Sequence, residues 1–241
     1  GIFIANLYSF SFYSPDLPDN SPYLLPEADQ TMAFLHHLFI EGKFYSIFSL
    51  LFGWGIALQF KRAAANGINA LPTVRRRLFF MLLLGAVHLL IWTGDIVFFY
   101  ALLAFILLPL RRFSNKTLLI TGAILILSPI LLYWLKMTWP VLNYPADKLA
   151  QAGQWSGDQM FPQYKEVDTR EEFAAIMDEI TWWDFLKNNV VGFFYRYRYL
   201  FFSSRIPKVL GMFLVGYVIG RSDFYKKFLQ YKKLIIAIIV S

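Results

Sequence analysis

The sequence predicts an all-α fold, a polytopic transmembrane helical bundle with one long extracytoplasmic helical loop, and three observations carry that prediction. Of 241 residues 57% are hydrophobic and only 16% charged, against about 25% charged in an average soluble domain. Long apolar runs recur along most of the chain, and about 20 mainly apolar residues suffice for a helix to cross a hydrocarbon layer about 30 Å thick. The Lys and Arg residues fall between those runs, so the net charge of +7 does not mark a basic soluble face for nucleic acid. Cysteine is absent, which excludes disulfides, a thiol nucleophile and cysteine-ligated metal, and no metal site is expected.

Taken in order, Gly1–Leu7 reads as the tail of one helix. Ser11–Gln30, rich in Pro, Asp and Ser, reads as a loop. Met32–Phe60 is the next span, longer than a bilayer needs and therefore tilted or begun in the interface. Leu78–Trp92 is a third, and the short turn Thr93-Gly94-Asp95 leads into a fourth at Ile96–Leu110, making a helical hairpin. Leu118–Leu135 and Ile206–Gly220 follow, and Leu234 opens another. The chain thus reads as one transmembrane domain over 1–241, an internal piece of a longer protein, with an extracytoplasmic or interfacial insertion at 137–205.

Orientation follows from the basic residues, because short basic loops stay in the cytoplasm. The loops after alternate spans hold Lys61, Arg62, Arg75, Arg76 and Arg77, then Arg111, Arg112 and Lys116, then Arg221, Lys226, Lys227, Lys232 and Lys233; Asp223 is their single acid. The remaining acids lie mostly in 137–205, which is accordingly placed outside the cytoplasm. Within it, Thr169-Arg-Glu-Glu172 fits a capping box that would start a helix. Trp182-Trp183-Asp-Phe185 and Phe193–Phe202 mix aromatics with charge, as suits a helix lying on or dipping into the outer leaflet. A nucleic-acid stacking platform uses the same residue types, but its place against a membrane argues against that partner.

Ionisable residues inside spans are costly, so each needs a partner or a purpose. The second span carries His36, His37, Glu41 and Lys43, with His37 and Glu41 on one face. The bland reading leaves all four near the outer surface, with Lys43 snorkelling. His88, Trp92 and Asp95 stand at i, i+4 and i+7, one face if the turn keeps helical phase. A carboxylate beside an imidazole fixes its tautomer for proton transfer; alternatively Asp95 simply caps the fourth helix and a neighbouring helix satisfies His88. Lys43, His88 and Asp95 count to similar depths and are expected to converge on one outward-opening cavity between the second, third and fourth spans.

Gly53-Trp-Gly55 and Gly211, Gly216 and Gly220 read as sites of close helix approach. Arg75, Arg76 and Arg77, with Lys61 and Arg62, are open to two readings: a retention signal, or a clamp for the phosphates of a coenzyme. No Walker loop, dinucleotide fingerprint or zincin motif is present.

The stretch Glu41-Gly-Lys43-Phe44-Tyr-Ser-Ile-Phe48-Ser49-Leu-Leu-Phe52-Gly53-Trp-Gly55 resembles the YeiB family, bacterial membrane proteins of unknown function. The likeness continues through Arg76-Arg77-Leu78, Gly85-Ala-Val-His88, Trp92-Thr-Gly94-Asp95-Ile96 and Tyr100-Ala101, and returns over Arg205–Arg221. That family is similar to transmembrane acyltransferases such as the lysosomal heparan glucosaminide acetyltransferase. The resemblance implies a multi-pass protein of the bacterial inner membrane, acyl-CoA as cytoplasmic co-substrate, an extracytoplasmic acceptor, and a site holding Lys43, His88 and Asp95. In that role His88 is the general base, Asp95 orients it and Lys43 stabilises developing negative charge. The competing class is a non-enzymatic transporter or lipid-binding protein in which the same polar residues line a path.

Overall fold

A computed structural model describes residues 43–162 and 181–222, with side chains from Tyr45 onward. The expected loop at 11–30, the His36, His37 and Glu41 group, the capping box at 169–172 and the helix opening at Leu234 lie outside the described residues. Those residues are all helical: α1 (Lys43–Ala65), α2 (Leu71–Ile91), α3 (Val97–Leu110), α4 (Asn115–Thr138), a 3-10 turn (Pro140–Asn143), α5 (Tyr144–Met160), α6 (Trp182–Phe202) and α7 (Arg205–Arg221).

Local chemistry sets most of the boundaries. Gly67, in the left-handed region at φ 68°, ends α1 in a Schellman pattern, with Ile68 N–H donating to Ala63 O and Gly67 N–H to Ala64 O. Pro72 sits in the first turn of α2, where its missing N–H costs nothing. Ser114 caps α4 by accepting from Thr117 N–H at 3.1 Å. Thr181 and Asp184 form a reciprocal capping box at the start of α6. Inside α4, Pro129 cannot donate to the carbonyl four residues back. The Ser128 hydroxyl donates to that carbonyl, Leu125 O, at 2.9 Å, and so satisfies the group the proline leaves free.

α7 is the hub of the bundle. It packs mainly against α1 and α4, while α2 pairs with α3 and α5 with α6. Its buried face runs through Val209, Gly211, Phe213, Leu214, Gly216, Tyr217, Val218 and Gly220. The glycines are there for closeness: a Cβ on Gly216 would enter the Leu50 carbonyl of α1, and one on Gly53 the Phe213 carbonyl of α7. A Cβ on Gly211 would sit 2.7 Å from Gly122 O of α4. Gly55, by contrast, has nothing within 4 Å of its would-be Cβ. Around these contacts Phe52, Tyr100 and Phe213 form a ring cluster, with centroids 5.0–5.4 Å apart.

Two polar staples close the ends. At one end the Arg221 guanidinium donates to Arg111 O at 2.9 Å and Phe113 O at 3.0 Å, and through Nε to Asn115 Oδ1 at 2.7 Å. Arg111 there lies 5.1 Å over the Phe60 ring. The C-termini of α1, α3 and α7 and the N-terminus of α4 thus meet on one side. At the opposite end α6 and α7 join through a bend of 72°. Ser204 at this corner is buried and holds a left-handed φ of 53°, which is costly for a residue with a Cβ. The Lys136 ammonium donates to Phe201 O, to Phe202 O at 3.1 Å and to Ser204 Oγ at 2.8 Å, holding the corner and satisfying carbonyls left over at the end of α6.

Within the described residues α4 is the helix long and apolar enough to cross a membrane, and most of it is unburied; the bent α6–α7 pair counts as a second if taken as one span. The expected span at 118–135 becomes 115–138, and 206–220 becomes 205–221. The expected span at 78–92 begins seven residues earlier, at Leu71, so Arg75, Arg76 and Arg77 belong to its first two turns and not to a preceding loop. The insertion at 137–205 contributes two helices, of which α6 packs onto α2 and α7.

Replacing Gly216 or Gly53 by Ala is expected to cost about 1–3 kcal/mol, because backbone and not a flexible side-chain tip occupies the space. Gly55→Ala should be neutral. Thermal unfolding of the three variants in detergent checks this; equal midpoints for all three would remove the close seam.

Candidate functional site

α2 ends at Ile91 and the chain turns through Trp92–Ile96 before α3 begins. Gly85 makes the turn-back possible, since a Cβ there would enter the Phe98 backbone of α3. The turn brings His88 and Asp95 together: His88 Nδ1 lies 2.6 Å from Asp95 Oδ2. Helical phase, one basis of the sequence expectation, is broken here; the pairing comes from the hairpin instead. The second carboxylate oxygen accepts from Phe98 N–H at 2.7 Å. Asp95 therefore both caps α3 and holds His88, with each oxygen committed to a different task.

Burial is unequal across the pair. The Asp95 side chain is 1% exposed and the His88 side chain 46%. With the carboxylate as acceptor, Nδ1 carries the ring proton and Nε2 is left with its lone pair on the open side. The Trp92 ring stands edge-on to the imidazole at 5.9 Å and restricts its rotation. The arrangement is a carboxylate-oriented imidazole, able to accept a proton at Nε2 from a group placed against it. The exposed face of His88 is continuous with an apolar strip of α2, Leu84, Val87 and Ile91.

α6 clasps this turn. Asn189, buried, donates from one amide nitrogen to Leu90 O at 2.9 Å and Ile91 O at 3.0 Å, the carbonyls that the end of α2 leaves free. A turn later Gly192 admits Thr93, whose methyl would lie 2.6 Å from an added Cβ. Phe193 and Tyr197 then pack on Phe98, at 6.5 and 6.2 Å between centroids. The positions 189, 192, 193, 196 and 197 recur at helical spacing. That periodicity stands in the sequence and was open to reading, but the aromatic and charged character of the segment pointed to an interface and not to a neighbouring turn.

The other expected site residues are placed differently. Lys43 opens α1, and its side chain lies outside the described residues. α1 packs chiefly on α7 and only slightly on α2; its link to the hairpin is through α3, where Ser49 Oγ and Tyr100 Oη are 2.7 Å apart and Ser49 also donates to Tyr45 O. Arg75, Arg76 and Arg77 are exposed at the far end of α2, about 16–20 Å along the axis from His88 at 1.5 Å per residue. Being helical, the three side chains fan over about 200° at 100° per residue, so they do not all face one phosphate group. Among the described residues no group of three or more His, Cys, Asp or Glu could hold a metal ion.

No family model matches the chain, and no solved structure is significantly similar to it. The uncharacterized protein YxaH of Bacillus subtilis is 40% identical over 126 residues, 50% of this chain and 31% of that protein. An uncharacterized 39.9 kDa protein encoded in the amylase 3' region of Bacillus acidopullulyticus is 35% identical over 91 residues, 38% of this chain and 26% of that protein. The uncharacterized protein YeiB of Escherichia coli is 33% identical over 132 residues, 53% of this chain and 32% of that protein. Each match therefore covers a third or less of the relative's own length. The chain is a distant homologue of uncharacterized YxaH- and YeiB-like proteins.

Asp95→Asn should keep the cap to Phe98 and weaken only the hold on His88, whereas Asp95→Ala should lose about 1 kcal/mol more from the missing cap. Asn189→Leu should cost about 1–3 kcal/mol by stranding two carbonyls. Denaturation of the three variants beside the parent checks the ordering; an Asp95→Ala variant as stable as Asp95→Asn would contradict the capping role.

Proposed function

We propose that this chain is part of a multi-pass membrane protein of the bacterial inner membrane that moves an acyl group from a cytoplasmic acyl-CoA to an extracytoplasmic acceptor. The observation that carries the reading is the His88–Asp95 pair, with a buried carboxylate behind the imidazole and the outer ring nitrogen open. The membrane placement is supported by the exposed apolar surface of α4, where Ile124, Leu127, Ile130 and Leu131 are 57–74% exposed, a pattern that water would penalise and lipid would not. It is supported also by the gathering of Lys61, Arg62, Arg75, Arg111, Lys116 and Arg221 toward one end and of the His88 turn toward the other.

In the step itself, His88 Nε2 takes the proton of an acceptor hydroxyl as its oxygen bonds to the thioester carbonyl carbon. The C–S bond then breaks, and the departing sulfur receives the proton from His88, leaving the acyl ester and free coenzyme A thiol. Asp95 keeps the ring in one tautomer throughout. The Arg75–Arg77 run is the candidate for the coenzyme phosphates, with at most two of the three close to any one direction, and Lys43 the candidate for stabilising charge on the carbonyl oxygen.

A transport or lipid-binding role has one specific observation in its favour: the open face of His88 adjoins Leu84, Val87 and Ile91, so an apolar chain sliding along α2 would pass it. Membrane vesicles carrying the protein and supplied with acetyl-coenzyme A separate the two. The parent should release coenzyme A thiol, and His88→Ala should lower the rate about 100-fold or more; equal rates would remove the catalytic reading and leave the second. For orientation, Asp147→Cys should react with a membrane-impermeant maleimide in intact cells, and Arg112→Cys only after permeabilisation. The reverse pattern would invert the topology.

A further inference from the structure

On the side of α6 next to the His88 turn, Arg196 stands one helical turn before Tyr199, the residue that Arg205 of α7 holds, so the two cations share one neighbourhood. Both also bear on the Tyr45 phenol of α1. Arg205 lies 6.0 Å over the Tyr45 ring and 4.7 Å over the Tyr199 ring, and donates to the Tyr199 hydroxyl at 2.6 Å. Arg196 Nε and the Tyr45 hydroxyl are buried and have no hydrogen-bond partner among the described residues. Asp95, whose charge reaches Tyr197 on the same helix, is already engaged by His88 and by Phe98 N–H.

Like charges held together beside unsatisfied donors are unfavourable unless an anion joins them. Two guanidinium forks and a phenolic O–H offer more donors than one carboxylate takes up, and they suit the tetrahedral oxygens of a phosphate. Tyr197 and Tyr199, beside these arginines, are of the kind that settle at headgroup depth. We propose that Arg196 and Arg205, with the Tyr45 hydroxyl, bind the phosphate group of a ligand where α1, α6 and α7 meet. Tyr197, next to Arg196 on α6, packs on Phe98, whose N–H Asp95 accepts, so under the acyl-transfer reading the phosphate belongs to the acceptor. That last clause rests on the reading; the binding does not.

The test measures retention of phosphatidylglycerol and of diacylglycerol, which has the same tails and no phosphate, by native mass spectrometry of the detergent-solubilised full chain. Inorganic phosphate is tested alongside as a thermal stabiliser. Phosphatidylglycerol should be retained about 10-fold more strongly than diacylglycerol, and Arg196→Gln and Arg205→Gln should each remove about 10-fold or more of that preference. Tyr45→Phe, which deletes only an unpartnered hydroxyl, should lower it about fivefold with an unchanged melting point, and this keeps the test valid if an arginine variant fails to fold. Stabilisation by inorganic phosphate without lipid preference supports the site and names a soluble ligand instead of a headgroup. Equal retention of the two lipids with no effect of phosphate overturns it, as does a Tyr45→Phe variant that binds like the parent. His88→Ala should bind phosphate as the parent does, so acyl transfer undiminished in that variant, with binding intact, would sink the transfer reading and leave this site standing.

Discussion

The fold hangs on the absence of side chains along α7. Helix backbones can touch only where no Cβ stands between them. Gly211 of α7 meets Gly122 of α4, Gly216 and Gly220 meet Leu50 and Trp54 of α1, and Gly53 of α1 meets Phe213 of α7, which brings backbones near enough for dispersion contacts to accumulate. Everything else is arranged around that hub. The ring cluster of Phe52, Tyr100 and Phe213 fills the space beside it, and the Arg221 staple fastens the turn between α3 and α4 to its end.

The candidate site is tied to the hub through α3, whose Tyr100 packs on Phe213 of α7, and through α6. A carboxylate that is 1% exposed is expensive to bury unless its oxygens are occupied. Here one oxygen receives a backbone N–H and the other an imidazole, so the local turn satisfies the charge that the bundle buries. Asn189 and Gly192 press α6 over the same turn. The imidazole is thereby left as the one side chain of the pair that reaches outward, and its position is set by contacts behind it.

Much of the helical plan was legible in the sequence because hydropathy and basic residues are local signals. The hairpin of α2 and α3, the extents of α4 and α7 and the close approach at Gly53 and Gly216 all follow from residues within a few positions of each other. The His88–Asp95 contact was anticipated from a helical phase that does not persist through Gly94, and the alternative reading of Asp95, as the cap of the following helix, holds beside the contact. What was not legible is pairing at a distance. Nothing near Asn189 marks Leu90 and Ile91 as its acceptors, 99 and 98 residues away, and nothing near Leu50 names Gly216. The run Arg75–Arg77 was read as a loop because charge commonly ends a span, yet Asn69 and Pro72 had already begun a helix that carries the charges on its first turns.

The corner at Ser204 bears on how basic residues are weighed when topology is inferred. Lys136 spends its three N–H donors on Phe201 O, Phe202 O and Ser204 Oγ, so much of its charge is met by the negative end of a helix. A lysine used in this way exerts little pull toward either side of a bilayer. Tallies that give every Lys and Arg the same vote would count it against an outward placement of this corner; a tally that discounts cations already seated on helix ends would not.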